Sequence, residues 1–280
     1  MKNIFFLFLL LCSCYISGQT IESLKNQTTW QNFKYDIGSI GGGIGHAFSR
    51  PAHWKGKEWL NFAGIATGTA ILTLGDDEID NWTDGIRNDI SNDLLEFGGH
   101  YARPEGNYGL SSAVYFTGLF IKNEKLRRTG VLMIASTITG GFLQQLSIRI
   151  LNRARPLTGE SANNFDLKFF EKAEGYDSFF SGHTVLSFAN AYAIGKQFNN
   201  PWVKAGIYTV GMIPGFTRII ISKHWFSDVV FGTVMSILIV ESIDKYLDSR
   251  YEQKYNENNK KVHWDLTFAP GRIGVKLNFN

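Results

Sequence analysis

Apolar residues gather along the chain in six stretches: Trp59 to Leu74, Tyr108 to Ile121, Gly130 to Leu151, Phe179 to Phe198, Val203 to Ile221 and Val229 to Leu247. Their length predicts helices rather than strands. Five lack internal proline, and the fifth carries Pro214 beside Gly215, which predicts a kink. No repeat period is evident, which argues against a solenoid. Before them, Gln19 to Lys57 is polar and Gly-rich around Gly38 to Gly45 and reads as an N-terminal arm. After them, Tyr251 to Lys261 is a polar linker or frayed helix end, and Val262 to Asn280 alternates around Ala269, Pro270 and Gly271 as a short hairpin does. At the front, Lys2, the apolar run Ile4 to Leu11 and the small residues Ser13, Ser17 and Gly18 have the layout of a secretory signal. The expected organisation is a signal peptide over 1–18, an arm over 19–57, a helical bundle over 58–250 and a linker with a hairpin over 251–280. The fold class is all-α, with about six core helices and a short C-terminal β-hairpin.

A chain of 280 residues with 44% hydrophobic residues can bury a sizeable core. Its 28 basic and 25 acidic residues give +3, too weak and scattered to mark a nucleic-acid surface. Both cysteines, Cys12 and Cys14, fall inside the leader, so the exported chain is expected to hold together by packing alone. The first two stretches are shorter than the ~20 residues a span needs, and the third carries Gln144, Gln145 and Arg149, so length alone does not decide; a membrane-associated bundle is the expectation. Lys122, Lys125, Arg127 and Arg128 cluster between the second and third stretches, which places that connection on the cytoplasmic side if the bundle is membrane-bound. A soluble periplasmic body is the alternative. Asp76, Asp77, Glu78 and Asp80 read as a solvated acidic helix cap rather than a metal site. No HExxH and no Asp cluster near the chemistry below calls for a metal or other cofactor. His46, His53 and His100 read as surface or packing residues.

Candidate chemistry lies in three clusters at the ends of predicted helices: Arg153-Ala154-Arg155-Pro156, Ser181-Gly182-His183, and Arg218 with His224 and Asp228. On a helix, His224 and Asp228 share a face, so the carboxylate can hold the imidazole N–H and fix which nitrogen is free. Ser181 and Gly182 lead into a helix whose unpaired N–H groups favour an anion. Arg155 and Arg218 supply forks that match phosphate oxygens. Two histidines, two arginines and one aspartate in this order suit phosphoryl transfer.

These motifs resemble those of the type 2 phosphatidic acid phosphatase and vanadium haloperoxidase superfamily, whose pattern is KxxxxxxRP, PSGH and SRxxxxxHxxxD. The matching segments are Ile148 to Pro156, Phe180 to His183, and Thr217 to Asp228. Thr217 for Ser keeps a hydroxyl, and Phe180 for Pro removes no donor. Ile148 removes a lysine that the family sets against phosphate. Arg149 is the nearest replacement, although a helix turns it about 100° from position 148; Arg153 is the other. The resemblance implies that His224 attacks phosphorus and forms a phosphohistidine while Asp228 stabilises the imidazolium. It implies that His183 protonates the leaving group and then activates water. Arg155, Arg218, the N–H groups near Ser181 and Gly182, and Arg149 bent back into the pocket would hold the phosphate oxygens. The expected substrate is an envelope lipid phosphate of the undecaprenyl pyrophosphate, phosphatidate or lipid A type, handled at the periplasmic face. A soluble periplasmic acid phosphatase, a vanadate-dependent haloperoxidase and a phosphate-headgroup binder without turnover are the competing readings.

Overall fold

The computed structural model describes residues 27–166, 170, 174–258, 262–269 and 272–279. The leader expected over 1–18, with Cys12 and Cys14, lies outside these residues. Nine α-helices stand among the described residues: α1 Thr29–Ser49, α2 Gly56–Leu72, α3 Asp76–Ile86, α4 Asn92–Tyr101, α5 Pro104–Phe120, α6 Glu124–Leu151, α7 Gly182–Gly195, α8 Pro201–Ile220 and α9 Phe226–Asn258. The all-α expectation holds. Strands β1 (Val262–Ala269) and β2 (Arg272–Phe279) pair antiparallel, from Val262 opposite Phe279 to Ala269 opposite Arg272. α9 runs on to Asn258, through most of the polar stretch expected to be a linker.

α6, α7 and α9 form the centre, with Val131, Leu132, Val185, Ala189, Val240 and Ile243 buried in one apolar cluster. α5 packs on α6 at two glycines. A Cβ at Gly118 would lie 2.3 Å from Arg127 N, and one at Gly130 would lie 2.5 Å from Tyr115 Cα. The absence of side chains there lets the two backbones touch. α8 continues through Pro214, where Thr217 Oγ1 donates to the Pro214 carbonyl at 2.9 Å.

The segment expected as an arm is mostly a 21-residue helix, opened by a capping box between Thr28 and Gln31. Its buried residues are polar or small, Asn32, Asp36, Ser39 and Gly43, which is why its composition reads as surface. Asp36 pairs with Arg127 at 2.8 Å and accepts from the hydroxyls of Tyr115 at 3.2 Å and Tyr251 at 3.3 Å. Gly43 rests against Ile243, and a Cβ at Gly42 would clash with Tyr246 Oη. The cations between α5 and α6 are therefore not a free patch: Arg127 is buried, and Arg128 pairs with Asp244 at 2.8 Å and Asp248 at 2.6 Å.

α2 is the opposite case. Thr69 is its one buried residue, and its apolar side chains stand outward, with Leu60 72% and Ile71 61% exposed. α6 and α9 are the two described helices long and apolar enough to cross a membrane.

Candidate active site

The three motif segments meet at one end of the bundle. α6 closes at Asn152, whose left-handed backbone (φ 40°) bonds its N–H to Ile148 O and turns the chain into Arg153 to Pro156. α7 begins at Gly182 with Ser181 as its cap: Ser181 Oγ accepts from Thr184 N at 3.4 Å and from Thr184 Oγ1 at 2.9 Å. Ser181 N–H donates to Asp228 O at 3.3 Å, so Gly182 and His183 carry the free first-turn N–H groups. α8 ends just beyond Arg218, whose carbonyl accepts from Lys223 N at 2.9 Å and His224 N at 3.2 Å. Gly98 and Gly99 of α4 make room for this end: a Cβ at Gly98 would lie 2.3 Å from Thr217 Oγ1, and one at Gly99 would lie 3.2 Å from Arg218 Nη2.

His224 is buried, and its Nδ1 lies 2.8 Å from the Ser178 carbonyl and 3.7 Å from Asp228 Oδ2. A carbonyl only accepts, so Nδ1 carries the proton and Nε2 keeps its lone pair. This differs from the spacing argument, which gave the N–H to the carboxylate; the closer acceptor is a backbone atom of the loop before α7. Asp228 is occupied elsewhere. Its Oδ2 accepts from Ser178 Oγ and from Trp225 N at 2.9 Å, and its Oδ1 pairs with Arg153 Nη1. Burial holds the His224 imidazole below its ordinary value, against the pull of the Asp228 carboxylate. A neutral imidazole is the form that can attack.

His183 at the start of α7 is held down to about 3, first by burial and then by the charges of Arg218, His224, Arg155 and Lys223. Arg155 pairs through Nε with Asp177 Oδ1 at 2.6 Å. Arg149 is exposed on α6, its carbonyl accepting from Phe170 N at 2.9 Å. One turn before Ile148, Gln144 lies over the start of α7: a Cβ at Gly182 would sit 3.1 Å from its side-chain carbonyl carbon. The side chain that α6 sends to this helix start is thus an amide.

The acidic segment expected as a solvated helix cap or loop does open α3, with Asp77 and Glu78 exposed, but Asp76 departs from that expectation. Asp76 is fully buried and pairs with Arg153 Nη2 at 2.7 Å, while Ser227 donates to it through N at 2.9 Å and through Oγ. Asp77 accepts from Ala162 N at 2.9 Å, and Asp80 accepts from Ser222 Oγ at 2.7 Å. Asp76 and Asp77 hold the loop after α6, and Asp80 holds the turn after α8, because these loops offer donors that no helix satisfies. Among the described residues, no three His, Cys, Asp or Glu side chains are grouped to hold a metal ion. Ser178, Gln144 and the role of Asp76 escaped sequence reasoning. The density of four acids within five residues was the one available signal for Asp76.

A buried imidazole with a free Nε2, a second imidazole, two guanidinium groups and a helix start define a histidine-centred site suited to a phosphoryl group. Residues 129–246 match the family described as the PAP2 superfamily. The chain is also 37% identical over 67 residues to a lipid A 1-phosphatase of Porphyromonas gingivalis. That match covers 23% of this chain and 15% of the relative, so it spans a small part of the relative's length.

Proposed function

We propose that the protein is a lipid-phosphate phosphatase of the bacterial envelope, acting through a phosphohistidine on His224. The observation that carries this reading is the Nδ1 bond to the Ser178 carbonyl, which leaves Nε2 as the nucleophile. Attack on phosphorus forms the N–P bond as the P–O bond to the lipid breaks. The positive charge that develops on the ring is offset by Asp228, 3.7 Å away. Arg155, Arg218 and the N–H groups of Gly182 and His183 hold the equatorial oxygens. A phosphate dianion between these groups raises the affinity of His183 for a proton, so the acid arrives with the substrate. His183 then gives that proton to the leaving oxygen and takes one from the water that opens the phosphohistidine. None of these steps calls on a cofactor. Arg149, exposed on α6, would reach the phosphate only by turning inward.

A lipid substrate at a membrane is supported by the outward apolar face of α2 and by the lipid A 1-phosphatase relative. The substrate class spans monoesters and pyrophosphates of envelope lipids, approached from the periplasmic side. The test is phosphate release from phosphatidate, undecaprenyl pyrophosphate, lipid A and a small aryl phosphate in detergent. Wild type should release phosphate from at least one lipid and His224→Ala from none, with acid-labile label trapped on the wild-type protein. Release from the aryl phosphate alone would move the reading to a soluble-type acid phosphatase. No release from any would leave a headgroup binder.

A further inference from the structure

Arg153 is fully buried between two fully buried carboxylates, Asp228 of α9 and Asp76 of α3. Its Nε donates to the Ala162 carbonyl at 2.8 Å and its Nη1 also donates to Ser227 Oγ at 2.8 Å, so the guanidinium has no freedom to leave. A buried charge is tolerated only when it is paired and hydrogen-bonded. One carboxylate would satisfy that requirement, and Arg153 with Asp228 alone would be a neutral pair. Such a pair offers little to an imidazole that turns positive. The second carboxylate makes the trio net negative. Asp76 lies outside the segment matched to the PAP2 superfamily, in the first turn of α3.

We propose that Arg153 and Asp76 are positioning residues for the nucleophile: Arg153 locks the Asp228 carboxylate in place, and Asp76 keeps the buried trio net negative so that His224 can become cationic. The catalytic part of this proposal rests on the phosphatase reading above; the electrostatic part does not. The groups around His224 are Asp228 on α9, Arg153 and Arg155 on the loop after α6, His183 on α7 and, behind Arg153, Asp76 on α3. Arg218 and Lys223 close the ring beside His183.

The experiment titrates His224 by NMR in the full chain in detergent, assigned by loss of its signals in His224→Gln, alongside kcat and KM. Asp76→Asn keeps the side-chain shape and removes one charge. It should lower the His224 midpoint by about one pH unit and kcat roughly ten-fold, with KM near wild type. Asp76→Glu should restore both. Asp76→Asn with Arg153→Met removes one charge of each sign and should return the midpoint to the wild-type value while kcat stays low, since Asp228 has lost its lock. An unchanged midpoint in Asp76→Asn overturns the proposal. If that single variant does not fold, the double variant decides: a wild-type midpoint supports the proposal and a lowered one overturns it. A wild type without phosphatase activity refutes the enzyme reading and leaves the titration interpretable.

Discussion

His183 makes the stability of this protein sensitive to mild acid. Its ordinary value of 6.5 is held down to about 3 in the folded chain. Between those limits the unfolded chain binds a proton at this position and the native chain does not, so stability falls as the pH drops. Above 6.5 neither state binds it and the contribution is flat. At pH 5, the difference between the two values corresponds to about 2 kcal/mol. The ring is only partly buried, and solvent screening reduces this to about 1–2 kcal/mol. His183→Gln keeps a polar side chain that does not titrate. Unfolding in mild detergent at about pH 7.5 and pH 5 should show the wild type losing about 1–2 kcal/mol more than the variant, or roughly 2–8 °C in Tm. Equal losses in the two proteins would refute the assignment of a depressed proton affinity to this ring. His224, also held low by burial, titrates in the same sense, so the single variant isolates His183 from it.

Other outcomes follow from the packing and from the ligand-free site. Gly130→Ala places a methyl 2.5 Å from Tyr115 Cα, a backbone atom that cannot step aside, and should cost about 2 kcal/mol or more on denaturant unfolding; a change below about 0.5 kcal/mol would mean that α5 and α6 slide freely. Asp177→Asn removes the anion that holds Arg155 at 2.6 Å. Stability should change by less than about 1 kcal/mol, because the pair is partly exposed. KM should fall several-fold with kcat unchanged, since phosphate no longer competes with a carboxylate. A rise in KM would show instead that Asp177 orients Arg155 for binding.

The candidate site was legible in outline because its residues come as short motifs. Arg155, His183, Arg218, His224 and Asp228 could be named from residue type and spacing, and their segments meet at one end of the bundle. What spacing could not show is which atom holds the imidazole. Ser178 acts through its backbone carbonyl, which every residue has, so no side chain announces it. In the sequence Asp76 looks solvent-facing because its partner, Arg153, lies 77 positions away and an acidic run has no local signature of burial. The sequence of α1 looks like an arm for a related reason. Its buried face is polar and glycine-rich, and only the facing Arg127, Tyr246 and Ile243 make that face an interior. Ile148 was legible as a departure from the lysine of the resembling family; that Gln144 reaches the start of α7 required the helix geometry.

The burial of Arg127 against Asp36, and the pairing of Arg128 with Asp244 and Asp248, bear on when the charge between α5 and α6 can act. In the finished fold these cations face α1 and α9 and present little net charge to their surroundings. Any effect they exert as free charges belongs to the nascent chain, before those two helices close over them. Asp36→Asn would leave the unfolded segment's positive charge intact while removing its eventual cover. Such a variant should fail to close the bundle although the segment's own charge is unchanged, which separates an effect of free charge from one of packing in these two arginines.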